Sequence, residues 1–126
     1  MRFAASRSLR RAPTGLAWVA AVGLLSACGS PAPEVPITLT DFAFAPAKFS
    51  VQQRQKTVLK IQNTGSTDHN IAIPPLNVST GPIAAGKTVN LELTAPRGPL
   101  KMICSIHEGQ GMVAEIAVEQ PAPNRR

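Results

Sequence analysis

Across residues 37–120, apolar and polar residues alternate with a period of two, and prolines and glycines interrupt the alternation every few residues. Alternation of this kind is typical of half-buried β-strands, because successive side chains of a strand point to opposite faces of the sheet. The cleanest example is 87–94, where Val89, Leu91 and Leu93 are predicted to face inward. The sequence therefore predicts an all-β fold.

Other apolar residues are also predicted to point into the core from short strands. They are Ile37, Leu39, Phe42, Phe44, Phe49, Val51, Ile71, Ile73, Leu100, Met102, Ala114, Ile116 and Val118. Turn-forming residues separate these strands, and no segment shows a helical period of useful length. Seven to eight such strands favour a Greek-key β-sandwich, and about 85 residues are enough for one modest core.

The N-terminal segment, 1–27, has the layout of a secretory signal peptide. Four arginines form a basic head, an apolar run follows at 16–25, and this run is too short to span a membrane. The junction at 25–28 (LSAC) resembles the lipobox of bacterial lipoproteins, which implies that Cys28 carries lipid and becomes the first mature residue. An ordinary signal peptide cut near Ala27 is the alternative.

We therefore expect an exported protein of the cell envelope, held at the membrane by a lipid on Cys28. Residues 28–36 contain three prolines and are predicted to form an extended linker, and 121–126 are predicted to form a disordered tail. Cleavage removes four of the thirteen basic residues and none of the seven acidic ones, which leaves nine against seven, a net charge of +2 in place of +6. We accordingly expect no nucleic-acid partner.

The two cysteines bear on the chemistry of an exported chain. In an oxidising environment two cysteines commonly form a disulfide, but a lipidated Cys28 leaves Cys104 without a partner in the chain. Binding a metal ion as a thiolate is one way to protect such a thiol from oxidation. A disulfide between Cys28 and Cys104 is the competing interpretation.

Cys104, His107 and Met112 have the spacing C-x2-H-x4-M in a loop between two apolar segments. Thiolate, imidazole and thioether ligands together favour copper over magnesium or calcium, and over zinc less decisively. A fourth ligand has to come from elsewhere, and His69 is the only other histidine. Two histidines, one cysteine and a weakly bound methionine are the ligand set of a blue-copper centre. The sequence thus predicts one copper ion that alternates between Cu(I) and Cu(II).

At these residues the sequence resembles the type I blue-copper proteins, the cupredoxins of the plastocyanin, pseudoazurin and amicyanin kind, over roughly 37–120. The resemblance implies that His69, Cys104 and His107 are the equatorial copper ligands. It implies that Met112 is the weak axial ligand.

The resemblance also assigns roles around the ligands. It implies that the backbone amide of Asn70 bonds the thiolate, that the Asn70 side chain ties the ligand loop at Ser105, and that His107 reaches the surface as the route for the electron. Two residues depart from the family's usual pattern. Ile106 stands where a proline often precedes the second histidine, and Ile103 where an aromatic residue often precedes the cysteine.

Electron transfer is the function that the resemblance implies, and no enzymatic activity is expected because saturated ligation leaves little room for a substrate. We expect a monomer that shuttles single electrons between membrane-associated redox proteins, such as a cytochrome, an oxidase or a reductase. Copper storage or delivery is the alternative, although only Met102 and Met112 remain in the mature chain and delivery sites tend to be rich in methionine and histidine. A metal-free domain for adhesion or assembly is a third interpretation.

Overall fold

The structure is a computed structural model that describes residues 29–123 and contains nine β-strands and two short 3-10 helices. The strands are β1 (Glu34–Thr40), β2 (Ala43–Ala45), β3 (Lys48–Gln52), β4 (Lys56–Asn63), β5 (Ala72–Ile73), β6 (Val78–Ser79), β7 (Thr88–Thr94), β8 (Leu100–Ile103) and β9 (Val113–Glu119). The 3-10 helices are Pro74–Leu76 and Glu108–Gln110. The predicted all-β fold is confirmed. Nine strands form where seven to eight were expected, and two of the nine, β5 and β6, are only two residues long.

The strands form two sheets that pack on each other. One sheet has the order β2-β1-β4-β7 and the other the order β3-β9-β8-β5-β6. The pairs β1–β4 and β3–β9 are parallel, and the remaining pairs are antiparallel. Buried residues of both sheets form a single hydrophobic cluster, so the molecule has the core of a sandwich.

The period of two holds along the strands. On β4 the inward positions are 57, 59, 61 and 63, and all four side chains are buried. On β7 only Leu93 is fully buried, because β7 is an edge strand, while Val89 and Leu91 are half-buried against the core. Burial of this apolar face from both sheets is the main term that stabilises the fold.

Three loops meet at one end of the sandwich. β1 and β4 are parallel neighbours with Leu39 opposite Asn63, so the turn after β1 and the loop after β4 leave the sheet side by side. In the other sheet Ala72 lies opposite Ile103, which brings the loop that enters β5 next to the loop that leaves β8. The candidate ligands lie in these loops.

One strand boundary and one core residue differ from the prediction. β1 begins at Glu34, inside the segment 28–36 assigned to the linker, because residues 34–39 pair with β4. Phe42 was predicted to be a core residue of a strand, which is wrong: it lies in the turn between β1 and β2 with a φ of 67° and is 42% exposed.

The predicted signal peptide (1–27), the lipidation site Cys28 and the last three residues (124–126) lie outside the described residues. Residues 121–123 have no regular secondary structure. Within 29–123, none of the helices has the length and apolar character needed to cross a membrane.

Candidate metal centre

The loop that follows β8 is closed by its own backbone. The amide of Cys104 donates to the carbonyl oxygen of Met112 at 3.1 Å, and the amide of His107 donates to the carbonyl oxygen of Cys104 at 3.1 Å. Gly111 ends the short 3-10 helix with a φ of 81°, a conformation that glycine adopts without steric cost. These bonds place a thiol and an imidazole from the same loop on one side of the site.

His69 reaches the site from the loop between β4 and β5. It forms an isolated antiparallel bridge with Ile83, with N···O distances of 3.2 and 2.7 Å, and its side chain is 0% exposed. The predicted strand over 69–73 is therefore reduced to Ala72–Ile73 plus this bridge, while His69 still shares the inward face with buried Ile71 and Ile73.

Asn63, at the end of β4, holds the loop that carries His69. Its side-chain amide is buried and donates to the carbonyl oxygens of Thr67 at 2.8 Å and Ile83 at 2.7 Å. Its side-chain oxygen accepts the amide of Gly65 at 2.9 Å. Both hydrogens and the oxygen of this amide are thus used to fix the backbone before His69 and the backbone of its bridge partner Ile83.

Three donor atoms converge on one point. The Nδ1 atoms of His69 and His107 are 3.1 Å apart, and the Sγ of Cys104 lies 4.0 Å from the first and 3.6 Å from the second. A triangle with these sides has a centre about 2.1 Å from each corner, close to the length of metal–imidazole and metal–thiolate bonds in proteins. His69, Cys104 and His107 are therefore arranged as a trigonal metal site.

Burial and donor type identify the metal that fits. Cys104 and His69 are 0% exposed, His107 is partly exposed, and Met112, which bonds the loop backbone at Cys104 and His107, is also 0% exposed. A trigonal set of two imidazoles and a thiolate beside a weak thioether is the arrangement that suits copper. The residues present fit one copper ion.

The sequence pattern of the cupredoxin-like domain family matches residues 14–118, which is most of the chain. The chain belongs to this family. The matched range begins inside the segment 1–27 that the sequence assigned to a signal peptide and ends near the end of β9.

Solved structures show the same cupredoxin fold. The dithionite-reduced auracyanin of the photosynthetic bacterium Roseiflexus castenholzii is 18% identical with a TM-score of 0.62, covering 71% of this chain and 99% of that one. Auracyanin B is 19% identical with a TM-score of 0.62, covering 72% and 91%. The metal-binding domain of a Cu(I)-exporting P-type ATPase of Streptococcus pneumoniae D39, solved with Cu(I), is 12% identical with a TM-score of 0.60, covering 68% and 84%.

Asn70 contacts the cupredoxin site in three ways. Its backbone amide lies 3.4 Å from the Sγ of Cys104, and its side-chain amide donates to the hydroxyl of Ser105 at 2.7 Å. Its side-chain oxygen lies 3.3 Å from the same sulfur. Both contacts expected from the family resemblance are present in the structure, and together they fix the sulfur against the loop that carries His69.

The exposed edge of the cupredoxin site is apolar. The ring of Phe42 lies edge-on to that of His107, with centroids 5.1 Å apart, and 6.4 Å from that of His69. Ile106, directly before His107 in the loop, and Val113, directly after the loop, are 51% and 38% exposed. The side chain at 106 therefore contributes to the surface beside His107 and makes no part of the core.

Asp41, next to Phe42 in the turn, bonds the loop that carries His69. Its carboxylate accepts the hydroxyl of Ser66 at 2.7 Å and the amide of Ser66 at 2.9 Å. Hydrogen bonds from the Ser66 hydroxyl and amide lower the pKa of Asp41 to about 2; burial opposes this shift, and the neighbouring His69 adds a smaller lowering. Asp41 is therefore a carboxylate at neutral pH.

The structure brings together the donor atoms of three predicted ligands, His69, Cys104 and His107. The fourth, Met112, is buried and bonds through its backbone to Cys104 and His107. The sequence did not predict a site role for Asp41, Asn63 and Phe42, which contact the ligands or their loops from other elements. For Asn63 a signal was available, because it lies on the same face of β4 as the buried residues 57, 59 and 61. For Asp41 no local pattern carried a signal, because its partners are 25 to 28 residues away.

Proposed function

We propose that this cupredoxin is an electron carrier of the cell envelope that binds one copper ion and passes single electrons between membrane-associated redox proteins. The observation that carries the proposal is the convergence of one thiol sulfur and two Nδ1 atoms around a common centre, from two loops fixed by the β-sandwich. The proposal includes a lipid anchor on Cys28 and no enzymatic activity.

The protein's part in the reaction is to hold the ligands still. Copper, when bound, supplies the chemistry by alternating between Cu(I) and Cu(II). Hydrogen bonds within the 104–112 loop and from Asn63 and Asn70 restrict movement of the donor atoms, so little reorganisation accompanies the change of charge. His107, partly exposed and packed edge-on against Phe42, is the residue through which we expect the electron to pass.

Copper storage or delivery is the second candidate, because the metal-binding domain of a Cu(I)-exporting ATPase has the same fold. The burial of the ligands and of the other methionine argues against it. Cys104, His69 and Met112 are all 0% exposed, and so is Met102, the only other methionine in the described residues. An incoming partner that takes the metal needs access to the ligands, and here only His107 offers it.

The test uses the mature protein from residue 28 without its lipid, loaded with Cu(II). We expect an intense blue colour from thiolate-to-copper charge transfer, its loss in Cys104→Ser, and rapid bleaching and recovery when the protein is mixed with a reduced and then an oxidised soluble cytochrome in stopped flow. A colourless complex that takes up only Cu(I) supports delivery instead. Failure to bind copper at all supports the metal-free domain.

The location is tested separately in the producing cells. We expect the full-length protein to sediment with membranes and the Cys28→Ser variant to be released into the soluble envelope fraction. A wild-type protein found in the soluble fraction contradicts the lipid anchor without affecting the copper chemistry.

A further inference from the structure

We propose that Asp41 is a positioning residue for the buried ligand His69. Its carboxylate accepts a hydrogen bond from the Nε2–H of His69, which fixes the tautomer that presents Nδ1 to the metal, and it places one negative charge behind that ligand. The inference rests on the copper-binding part of the proposed function and is independent of electron transfer.

The position of the proton follows from the geometry of His69. Its Nδ1 faces the Nδ1 of His107 at 3.1 Å and the Sγ of Cys104 at 4.0 Å, so Nδ1 is the metal-facing atom and Nε2 carries the hydrogen. The residue is 0% exposed, and a buried N–H without an acceptor is costly. Within residues 29–123, two oxygens lie within reach of Nε2, both at 3.4 Å: Oδ1 of Asp41 and Oγ1 of Thr67.

The carboxylate is the better acceptor of the two. Hydrogen bonds to an ionised acceptor are roughly twice as strong as those between neutral groups. The hydroxyl of Thr67 lies 3.4 Å from the same Oδ1, so it can donate to Asp41 and leave the carboxylate to accept from His69. Two bonds from Ser66, at 2.9 and 2.7 Å, hold the carboxylate in this place.

Gly65 shows how closely the two groups are packed. A Cβ at this position would lie 2.5 Å from Oδ1 of Asp41 and 3.0 Å from Nε2 of His69. Any side chain there would enter the space that the carboxylate and the imidazole share. Glycine, which has no Cβ, is therefore the residue that lets the carboxylate of Asp41 approach Nε2 of His69.

The charge has a predictable effect on the metal. A carboxylate bonded to a ligating imidazole makes the ligand more basic, and loss of such a partner typically costs about 10- to 100-fold in metal affinity. A negative charge favours Cu(II) over Cu(I), so Asp41 lowers the reduction potential. If Asp41→Asn weakens Cu(II) binding tenfold more than Cu(I) binding, the potential rises by about 59 mV.

The first measurement needs no metal. In the copper-free protein, ¹⁵N-detected shifts of the His69 ring report which nitrogen carries the hydrogen; we expect Nε2–H in the wild type and loss of that preference in Asp41→Ala. The second compares reduction potentials of copper-loaded wild type, Asp41→Asn, Asp68→Asn and Thr67→Val. Asp68 is a matched control because it is an exposed carboxylate in the loop that carries His69. Its side chain forms no hydrogen bond or ion pair with any residue in 29–123.

We expect the potential of Asp41→Asn to rise well above that of both controls. A wild-type His69 protonated on Nδ1 overturns the proposal, and so does a shift in Asp68→Asn or Thr67→Val as large as that in Asp41→Asn. A wild type that takes up no copper contradicts the proposed function instead, and in that case the ring-nitrogen measurement still decides whether Asp41 orients His69.

Discussion

Two polar side chains are fully buried on the same face of β4, one near each end, and they differ in every other respect. Asn63 lies at the end of β4 next to the loops that carry His69 and Cys104, called here the metal end, and it uses both amide hydrogens and its oxygen in hydrogen bonds. Thr57, six residues earlier, is 1% exposed, and its hydroxyl has no partner among the described residues. Both have the inward parity of the strand, so sequence position alone does not distinguish them.

The difference shows where the fold depends on polar groups. At the metal end the loops leave the sheet and their backbone groups need partners, which Asn63 supplies for the segments beside His69. At the other end regular pairing with β7 satisfies the backbone, with Thr57 opposite Leu93. The buried hydroxyl of Thr57 there only adds a desolvation cost. A buried polar group is thus a structural requirement of the site and a cost elsewhere.

Replacement of Asn63 is expected to have the largest effect. Asn63→Leu keeps a similar volume but removes three hydrogen bonds, each worth about 1 kcal/mol net, so the free energy of unfolding should fall by about 3 kcal/mol. The measurement is urea unfolding of the copper-free mature protein. Copper affinity should fall as well, because the segment before His69 and its partner segment at Ile83 lose their anchor.

A loss below about 1 kcal/mol in Asn63→Leu would contradict the structural role of Asn63, since it would mean that solvent replaces the amide at no cost. The matched substitution is Thr57→Val, which also replaces a polar by an apolar side chain on the same face of β4. Opposite signs of the two changes in stability are the expected result.

Copper itself should stabilise the metal end selectively. A ligand that binds only the folded state adds about 2.7 kcal/mol at a free concentration 100 times its dissociation constant. At one fixed copper concentration, we expect the increment to be the same in wild type and Thr57→Val and smaller in Asn63→Leu. Chemical denaturation with and without copper measures it, and equal increments in all three proteins would show that Asn63 does not support the site.

Thr57→Val should stabilise the protein by about 1 kcal/mol, because removal of a buried, unpartnered hydroxyl recovers its desolvation cost. Valine suits a strand as well as threonine does, since both are β-branched. The check is the midpoint of thermal and urea unfolding. A destabilised Thr57→Val with an unchanged blue spectrum would indicate that the hydroxyl has a partner in solution, such as bound water.

Much of this fold could be predicted from the sequence, because the period of two reports burial directly. That signal placed Leu39 and Ile116 in the core, and the spacing from Cys104 to Met112 placed three predicted ligands in one loop. Periodicity failed at Phe42, where an apolar residue between two short strands suggested a core position. The turn instead takes a positive φ, and the ring lies against His107.

The groups that orient the ligands were harder to predict. Asp41 contacts His69 across 28 residues, and Asn63 contacts the backbone of Ile83 across 20. Such contacts depend on how parallel strands β1 and β4 align their ends, which no local pattern specifies. Ligand identity is local chemistry and can be found from spacing, whereas ligand orientation depends on the assembled sheets.

The smallest expected effect concerns acid stability at the metal end, where the carboxylate of Asp41 faces Ser66, Thr67 and His69. Because the pKa of Asp41 in the folded state is about 2, below the usual 3.8, the unfolded chain binds more protons between these values. The contribution of Asp41 is therefore fully present above about pH 5 and is lost as the pH falls through 3.8 towards 2. In copper-free protein, wild type should lose more stability over this range than Asp41→Asn, whereas Asp68→Asn should follow the wild type. Parallel acid limbs for wild type and Asp41→Asn would mean that the bonds from Ser66 do not persist in solution, and would place Asp41 with Thr57 among the groups that the fold does not use.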